Sequence, residues 1–361
     1  MARIGIMTFL HNENCGSSLQ AYALQRAIRD LGHEPLGLDY RPDRAEQVRN
    51  LLRSGNSPAV VLDSMMRRRG RGVRNTEGFD RFCREMLSLS APARNGKELA
   101  ACSAGCDLLL AGSDQIWSPE WLNGSYFFSF AGDQPRLAYA CSLGVSAMPG
   151  RSKQRKLARL VRPFRHISVR ETEGRDLLRQ LLPDRQIDVD PDPVFLLSRR
   201  AWLETAGEPA PDGTLAAYFI KDDPAYHQKA REAAEAMRLR LVPLAVTPGM
   251  SALADAVLNP DPLGWLRRMA SAEAVITDSF HGAAFAAILG KPLTILRRWQ
   301  PDDPHSKNSR IDQLMRLMQW TDDRACLPSE EVEAAVMSQR EQGLSWLREA
   351  IEESLEFRGQ R

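Results

Sequence analysis

The loop after the first strand-like run contains neither Gly-x-Gly-x-x-Gly nor Gly-Lys-Ser/Thr. That leaves no support for dinucleotide binding or for a phosphate-cradling P-loop. There is no Gly-x-Ser-x-Gly elbow and no paired-carboxylate motif. The six cysteines include no Cys-x-x-Cys pair; the nearest two, Cys102 and Cys106, belong to no Cys/His cluster that could supply four metal ligands. No metal site is expected, and reduced cysteines in a cytosolic protein are the simple reading. Cys15 and Cys141 lie on candidate loops but lack a base partner, so they read as core thiols. No apolar stretch approaches ~18 residues, and the N-terminal run is too short for a signal peptide. The expectation is a soluble, cytoplasmic chain. Lys and Arg number 48 against 46 Asp and Glu, a formal charge of +2, too small to point to nucleic acid or membrane as the main partner. One local exception is the basic run Arg67 to Arg74. It reads first as a solvated loop and second as a contact with an anionic membrane surface.

What is present is an alternation of short apolar runs and amphipathic stretches over 361 residues, enough for two domains. Strands are predicted at residues 3–9, 34–40, 107–110, 137–143, 166–170 and 186–197, with a helix over 19–31 ending at Gly32. After a Gly/Pro/Asp-punctuated segment at 197–214 the alternation resumes. Strands are predicted at 214–220, 240–246, 272–277 and 292–296, and helices at 225–237, 262–269, 282–289, 312–318 and 330–357. Such alternation predicts parallel sheets with helices on both faces. The reading is α/β, with two Rossmann-like domains, 1–198 and 199–361, facing across a cleft.

The organising stretch is AEAVITDSFHGAAFAAI, residues 272–288. A buried strand runs into an Ala-rich helix, with Asp278, Ser279, Phe280 and His281 at the junction. Ligands of open α/β sheets collect at the carboxyl ends of strands, and a helix start suits an anion. The competing reading is a capping turn with a satisfied histidine. Other strand-end loops carry Asn14 and Gln20, Ser113 and Asp114, Ser168 and Arg170, and, beyond the last strand, Lys307 and Arg310. Three cations beside one imidazole suit a donor bearing a phosphate and a carboxylate. The histidine is a candidate general acid or base.

The ordered series Asn14-Cys15-Gly16 with Leu19-Gln20-Ala21-Tyr22, Gly112-Ser113-Asp114-Gln115-Ile116-Trp117, Tyr139-Ala140-Cys141-Ser142-Leu143-Gly144, Ser168-Val169-Arg170-Glu171, Asp190-Pro191, Thr277-Asp278-Ser279-Phe280-His281-Gly282 and Asn308-Ser309-Arg310 resembles the polysaccharide pyruvyl transferase family. The resemblance runs to about residue 320. It departs at Cys15, where an aromatic residue is usual, and at Leu143, where Phe is frequent. It implies a fold similar to the two-domain B-type glycosyltransferases. It also implies transfer of the enolpyruvyl-derived group of phosphoenolpyruvate onto two hydroxyls of a sugar, forming a cyclic ketal and releasing phosphate. The family's functional residues fall on Arg170 and His281. Its basic residue after the next strand falls on Lys307 or on Arg310. Ser279, Gly282, Ser168, Ser113, Asp114, Asn14 and Gln20 complete the expected substrate-binding set. No cofactor is expected beyond the donor itself. The expected partner is a sugar, oligosaccharide or lipid-linked glycan, and no nucleic acid. Two rival readings share these residues: a transferase using a nucleotide sugar, and a carbohydrate-binding protein without activity.

Overall fold

The computed structural model describes residues 1–53, 75–145, 147, 150–299, 308–323 and 326–359. The basic run Arg67–Arg74 and Lys307 lie outside the described residues. Two parallel sheets form the framework. The first contains β1 (Arg3–Met7), β2 (Glu34–Gly37), β3 (Leu108–Gly112), β4 (Arg136–Cys141), β5 (His166–Val169) and β6 (Asp188–Val189), in the order β2-β1-β3-β4-β5-β6. The second contains β7 (Thr214–Tyr218), β8 (Arg240–Ala245), β9 (Val257–Leu258), β10 (Ala274–Thr277) and β11 (Leu293–Ile295), in the order β11-β10-β7-β8-β9. Among the described residues the strands of both sheets pair in parallel, as helical crossovers require. The sheets lie on either side of residues 198/199.

Two predicted elements differ. The first helix begins at Cys15, not Leu19, because Asn14 caps it by accepting from the Ser17 amide at 3.1 Å. The stretch 186–197 is not one strand. β6 is only two residues long, since Pro191 and Pro193 cannot donate to a ladder, and Pro193–Leu196 closes instead as a 3-10 turn.

The helix Phe280–Leu289 is buried along its whole length. An apolar surface all round suits a helix enclosed on every side. It packs on β10 and β11, on helices Arg199–Ala206, Pro262–Ser271 and Ser309–Leu317, and on the last helix. The last helix, Glu330–Gly359, crosses back to the first sheet, where Leu347, Ala350 and Ile351 join Ile4, Ile6, Leu110 and Tyr139 in one core. The halves also meet directly. Gln313 Nε2 donates to the Arg170 carbonyl at 2.9 Å while its Oε1 accepts from the Thr172 amide at 3.0 Å. Asn75 Nδ2 donates to the Asn259 carbonyl at 2.9 Å. Arg81 pairs with Asp261 at 2.7 Å.

Candidate active site

The carboxyl ends of the two sheets face each other, and the charged residues gather there. His281 is the second residue of its helix and is only 7% exposed. Its Nε2 lies 3.4 Å from Asp192 Oδ2. Behind the ring is Gly16, in the first turn of the Cys15–Asp30 helix. A Cβ there would overlap His281 Cγ and Nδ1, so only glycine lets that helix press against the imidazole. The histidine therefore does not stand at an open mouth. It is seated between the halves, with its ring fixed by one element from each.

Asp192 is the hub. Fully buried, it accepts from Arg170 Nη1 at 2.5 Å and from Ser113 Oγ at 3.2 Å, and its other oxygen accepts from the Val194 amide at 3.1 Å. Burial alone would raise its pKa. His281, Arg170 and the Val194 amide outweigh that and hold the carboxyl well below the usual carboxylate range. Arg170 is equally buried. Burial would lower its pKa, but Asp192 and Glu171 more than offset this and keep the guanidinium charged. It also touches Glu171 Oε1 at 3.4 Å and stacks over the Phe280 ring at 4.8 Å. Glu171 in turn accepts from Ser142 Oγ at 2.5 Å.

Arg310 is placed differently. It is half-buried near Arg170, and among the described residues no carboxylate pairs with it. Its Nη1 and Nη2 donate to the side-chain oxygen of Gln115, in the orientation that satisfies that amide, at 3.2 and 2.9 Å. Burial, followed by the charge of Arg170, lowers its pKa to about 10, with a smaller contribution from Arg298. Arg298 lies just beyond β11. It stacks on Trp299 at 4.6 Å, and its nearest acid is Asp278 at 3.9 Å. Burial lowers its pKa too. Both oxygens of Asp278 are already occupied by the Ile220 and Lys221 amides, at 2.7 and 2.9 Å. Arg170 is thus paired with Asp192 and Glu171 and Arg298 faces Asp278, whereas Arg310 makes no ion pair among the described residues. Like charges held together in a low-dielectric place favour an anionic ligand.

The structure brings His281, Arg170, Ser113 and Arg310 into this cluster. Asp114 borders it with a left-handed backbone (φ 61°), held by Ser17 Oγ and by its own contact with the Gln115 amide at 2.8 Å. The remaining predicted residues are placed in supporting roles. Asn14 caps a helix. Gln20 is fully buried and donates to Thr8 Oγ1 and to the Ser17 carbonyl. Ser168 Oγ accepts from the Ala140 amide at 2.9 Å, supporting a left-handed residue (φ 48°) where β4 shifts register. Ser279 caps the His281 helix, accepting from the Gly282 amide at 3.4 Å. A Cβ on Gly282 would strike Thr277, so its bareness serves close packing. Cys15 and Cys141 are buried, and burial raises both thiols far above reactivity.

Asp192, Gln115, Gln313 and Arg298 were not anticipated as site residues. Asp192 had a signal: Asp190-Pro191-Asp192-Pro193 puts a short acid between two prolines at a strand exit, where the chain is stiff and leaves the sheet. Among the described residues no group of His, Cys, Asp and Glu could hold a metal ion, and no helix is long and apolar enough to cross a membrane.

Parallel sheets with opposed carboxyl edges and a charged cleft between them form an α/β fold of the B-type glycosyltransferase architecture. The family model for polysaccharide pyruvyl transferase matches residues 14–299, and the chain belongs to that family. Lys307 and Arg310 lie beyond the matched span. Among solved structures, the UDP-GlcNAc 2-epimerase of Neisseria meningitidis is similar with a TM-score of 0.50 at 10% identity, covering 98% of this chain and 100% of that one. A putative UDP-N-acetylglucosamine 2-epimerase of Listeria monocytogenes has a TM-score of 0.49 at 11% identity, over 98% of this chain and 97% of that one. The first of these likenesses concerns the fold alone. No curated protein matches the chain.

Proposed function

We propose that this transferase takes phosphoenolpyruvate as donor and builds a pyruvate ketal on two hydroxyls of a sugar in a cell-surface polysaccharide or its precursor, releasing phosphate. The observation that carries the proposal is the trio Arg170, Arg310 and Arg298 beside a buried, carboxylate-oriented imidazole. A donor with a carboxylate and a phosphate would find in Arg310 a cation that makes no ion pair among the described residues, with Arg298 beside it. Arg170, locked by Asp192, presents a fixed guanidinium, whereas Arg310 and Arg298 have capacity to spare. Lys307 belongs to the same expected set.

In this reading His281 protonates C3 of the enol, which leaves C2 electrophilic. Asp192 orients the ring and stabilises the positive charge it carries beforehand. A sugar hydroxyl adds to C2, phosphate departs with its bonding pair while the cations balance its charge, and a second hydroxyl closes the ring. The experiment supplies phosphoenolpyruvate and UDP-GlcNAc in parallel with a set of glycosides, following inorganic phosphate and UDP. Phosphate release that depends on both donor and glycoside is expected. Release of UDP alone would overturn the proposal in favour of a nucleotide-sugar transferase.

A further inference from the structure

The cluster around His281 contains an acid but nothing assigned to receive the proton of the attacking hydroxyl. A second histidine lies in the same loop that buttresses the first. His11 follows β1, and its Nε2 is 2.6 Å from Asp39 Oδ1. Asp39, just past β2, is 2% exposed and is also gripped by Arg41 Nε at 2.9 and 3.1 Å, with its own amide donating to Ser90 Oγ at 3.0 Å. One ring nitrogen is thus committed to a fixed carboxylate. The other, Nδ1, is 3.7 Å from Asp80 Oδ1, too far for a hydrogen bond, and the side chain keeps 22% of its surface open. With Nε2 donating to Asp39, a neutral ring carries its lone pair on Nδ1, the nitrogen that makes no hydrogen bond among the described residues.

The surroundings suit a sugar. Phe9 and Tyr126, both half-buried, meet edge to face at 5.2 Å, and Tyr40 touches Tyr126 at 5.9 Å. Such rings offer apolar faces beside polar groups. Trp121, also half-buried, donates its Nε1–H to the carbonyl of Gln115, the residue that holds Arg310. Further along the His11 loop, Asn12 donates to Ser17 Oγ at 2.9 Å, and in the helix that follows Gly16 backs His281. β1 lies beside β3, and Ser17, which accepts from Asn12, in turn donates to Asp114, so the His11 loop is linked to the Ser113–Asp114 loop.

We propose that His11, held by Asp39, is the base that takes the proton of the attacking acceptor hydroxyl, which makes the carboxyl edge of β1 and β2 the acceptor subsite. The inference rests on the ketal-transfer reading above. As the hydroxyl oxygen bonds to C2, its O–H bond breaks and the proton passes to Nδ1. The C2=C3 electron pair takes a proton from His281. When the second hydroxyl closes the ring, the C2–O bond to phosphate breaks, phosphate keeps the pair, and the second proton leaves with it.

The test measures phosphate release from phosphoenolpyruvate by the full chain, with a mixture of the methyl glycosides of galactose, glucose, mannose and N-acetylmannosamine as acceptor probe. Donor binding is measured separately by calorimetry. His11→Gln should lower turnover by about 100-fold or more with unchanged donor affinity. Asp39→Asn, which leaves the ring in place with its tautomer unfixed, should give a second loss. Added imidazole should restore His11→Gly by about tenfold, which no purely structural role would allow. A His11→Gln enzyme within about threefold of wild type, or a His11→Gly loss that imidazole leaves untouched, would overturn the role of His11 while the donor reading stands. Wild-type protein that binds no phosphoenolpyruvate would overturn the donor reading. Binding without turnover of any glycoside would count against transfer itself.

Discussion

The turn leaving β6 carries two buried aspartates two residues apart, and they face different regions of the molecule. Asp192 faces the cleft. It has Arg170 and His281 as neighbours and is held well below the carboxylate range. Asp190 faces the last helix. It accepts from Gln342 at 3.2 Å, Ser168 and Gln342 only partly offset its burial, and burial pushes its pKa up to about 7. The same residue type, at the same depth, acquires opposite titration because one side of the turn supplies cations and the other supplies amides and hydroxyls. Burial alone therefore marks neither as functional. What marks Asp192 is that charged groups from both halves converge on it.

The largest effect should come from Asp192→Ala. It would leave a buried guanidinium and an imidazole without their acid, a loss of about 3–5 kcal/mol. Urea unfolding should show the midpoint falling accordingly, with activity lost. A midpoint within error of wild type would erase the contrast between the two aspartates.

Asp190→Asn should act in the other direction and depend on pH. Asp190 holds its proton more tightly folded than unfolded, so wild-type stability is unpenalised below the unfolded value of about 4 and declines as pH rises toward about 7. The variant should match wild type near the acid end and exceed it above neutrality, by at most about 4 kcal/mol. Paired melting curves across that range would check this; a constant difference at every pH would refute the assignment.

A smaller effect is expected at Arg310. Its guanidinium makes no ion pair among the described residues, so Arg310→Gln should relieve repulsion from Arg170 and leave unfolding stability unchanged or slightly raised. The lost charged hydrogen bond should cost donor binding about 1.5–3 kcal/mol, roughly 10- to 100-fold in Kd by calorimetry. Lower stability with unchanged donor affinity would make Arg310 a structural residue with no part in donor binding.

Much of this arrangement could be read from the sequence. The alternation of apolar runs located most strands of both sheets, since buried parallel strands are short and continuous. β9, only two residues long, escaped that pattern. The junction at residues 277–282 was legible because strand, cap and apolar helix follow without interruption. The roles of individual polar residues were not legible. Asn14, Gln20 and Ser168 have the composition of ligand contacts but complete hydrogen bonds inside the fold. Asp192 and Arg298 depend on partners about 90 and 20 residues away respectively, as shown by the His281 and Asp278 contacts, and periodicity carries no such information.

The central claim is that His281 delivers a proton to the donor's terminal carbon. Wild-type protein should be run in deuterium oxide with phosphoenolpyruvate and a turned-over glycoside, beside His281→Gln, and the product's methyl group analysed by mass spectrometry. The account predicts one deuterium per methyl from the wild type, and a loss of about 100- to 10,000-fold in product from a variant that still folds and binds the donor. Product formed by His281→Gln at the wild-type rate would contradict it.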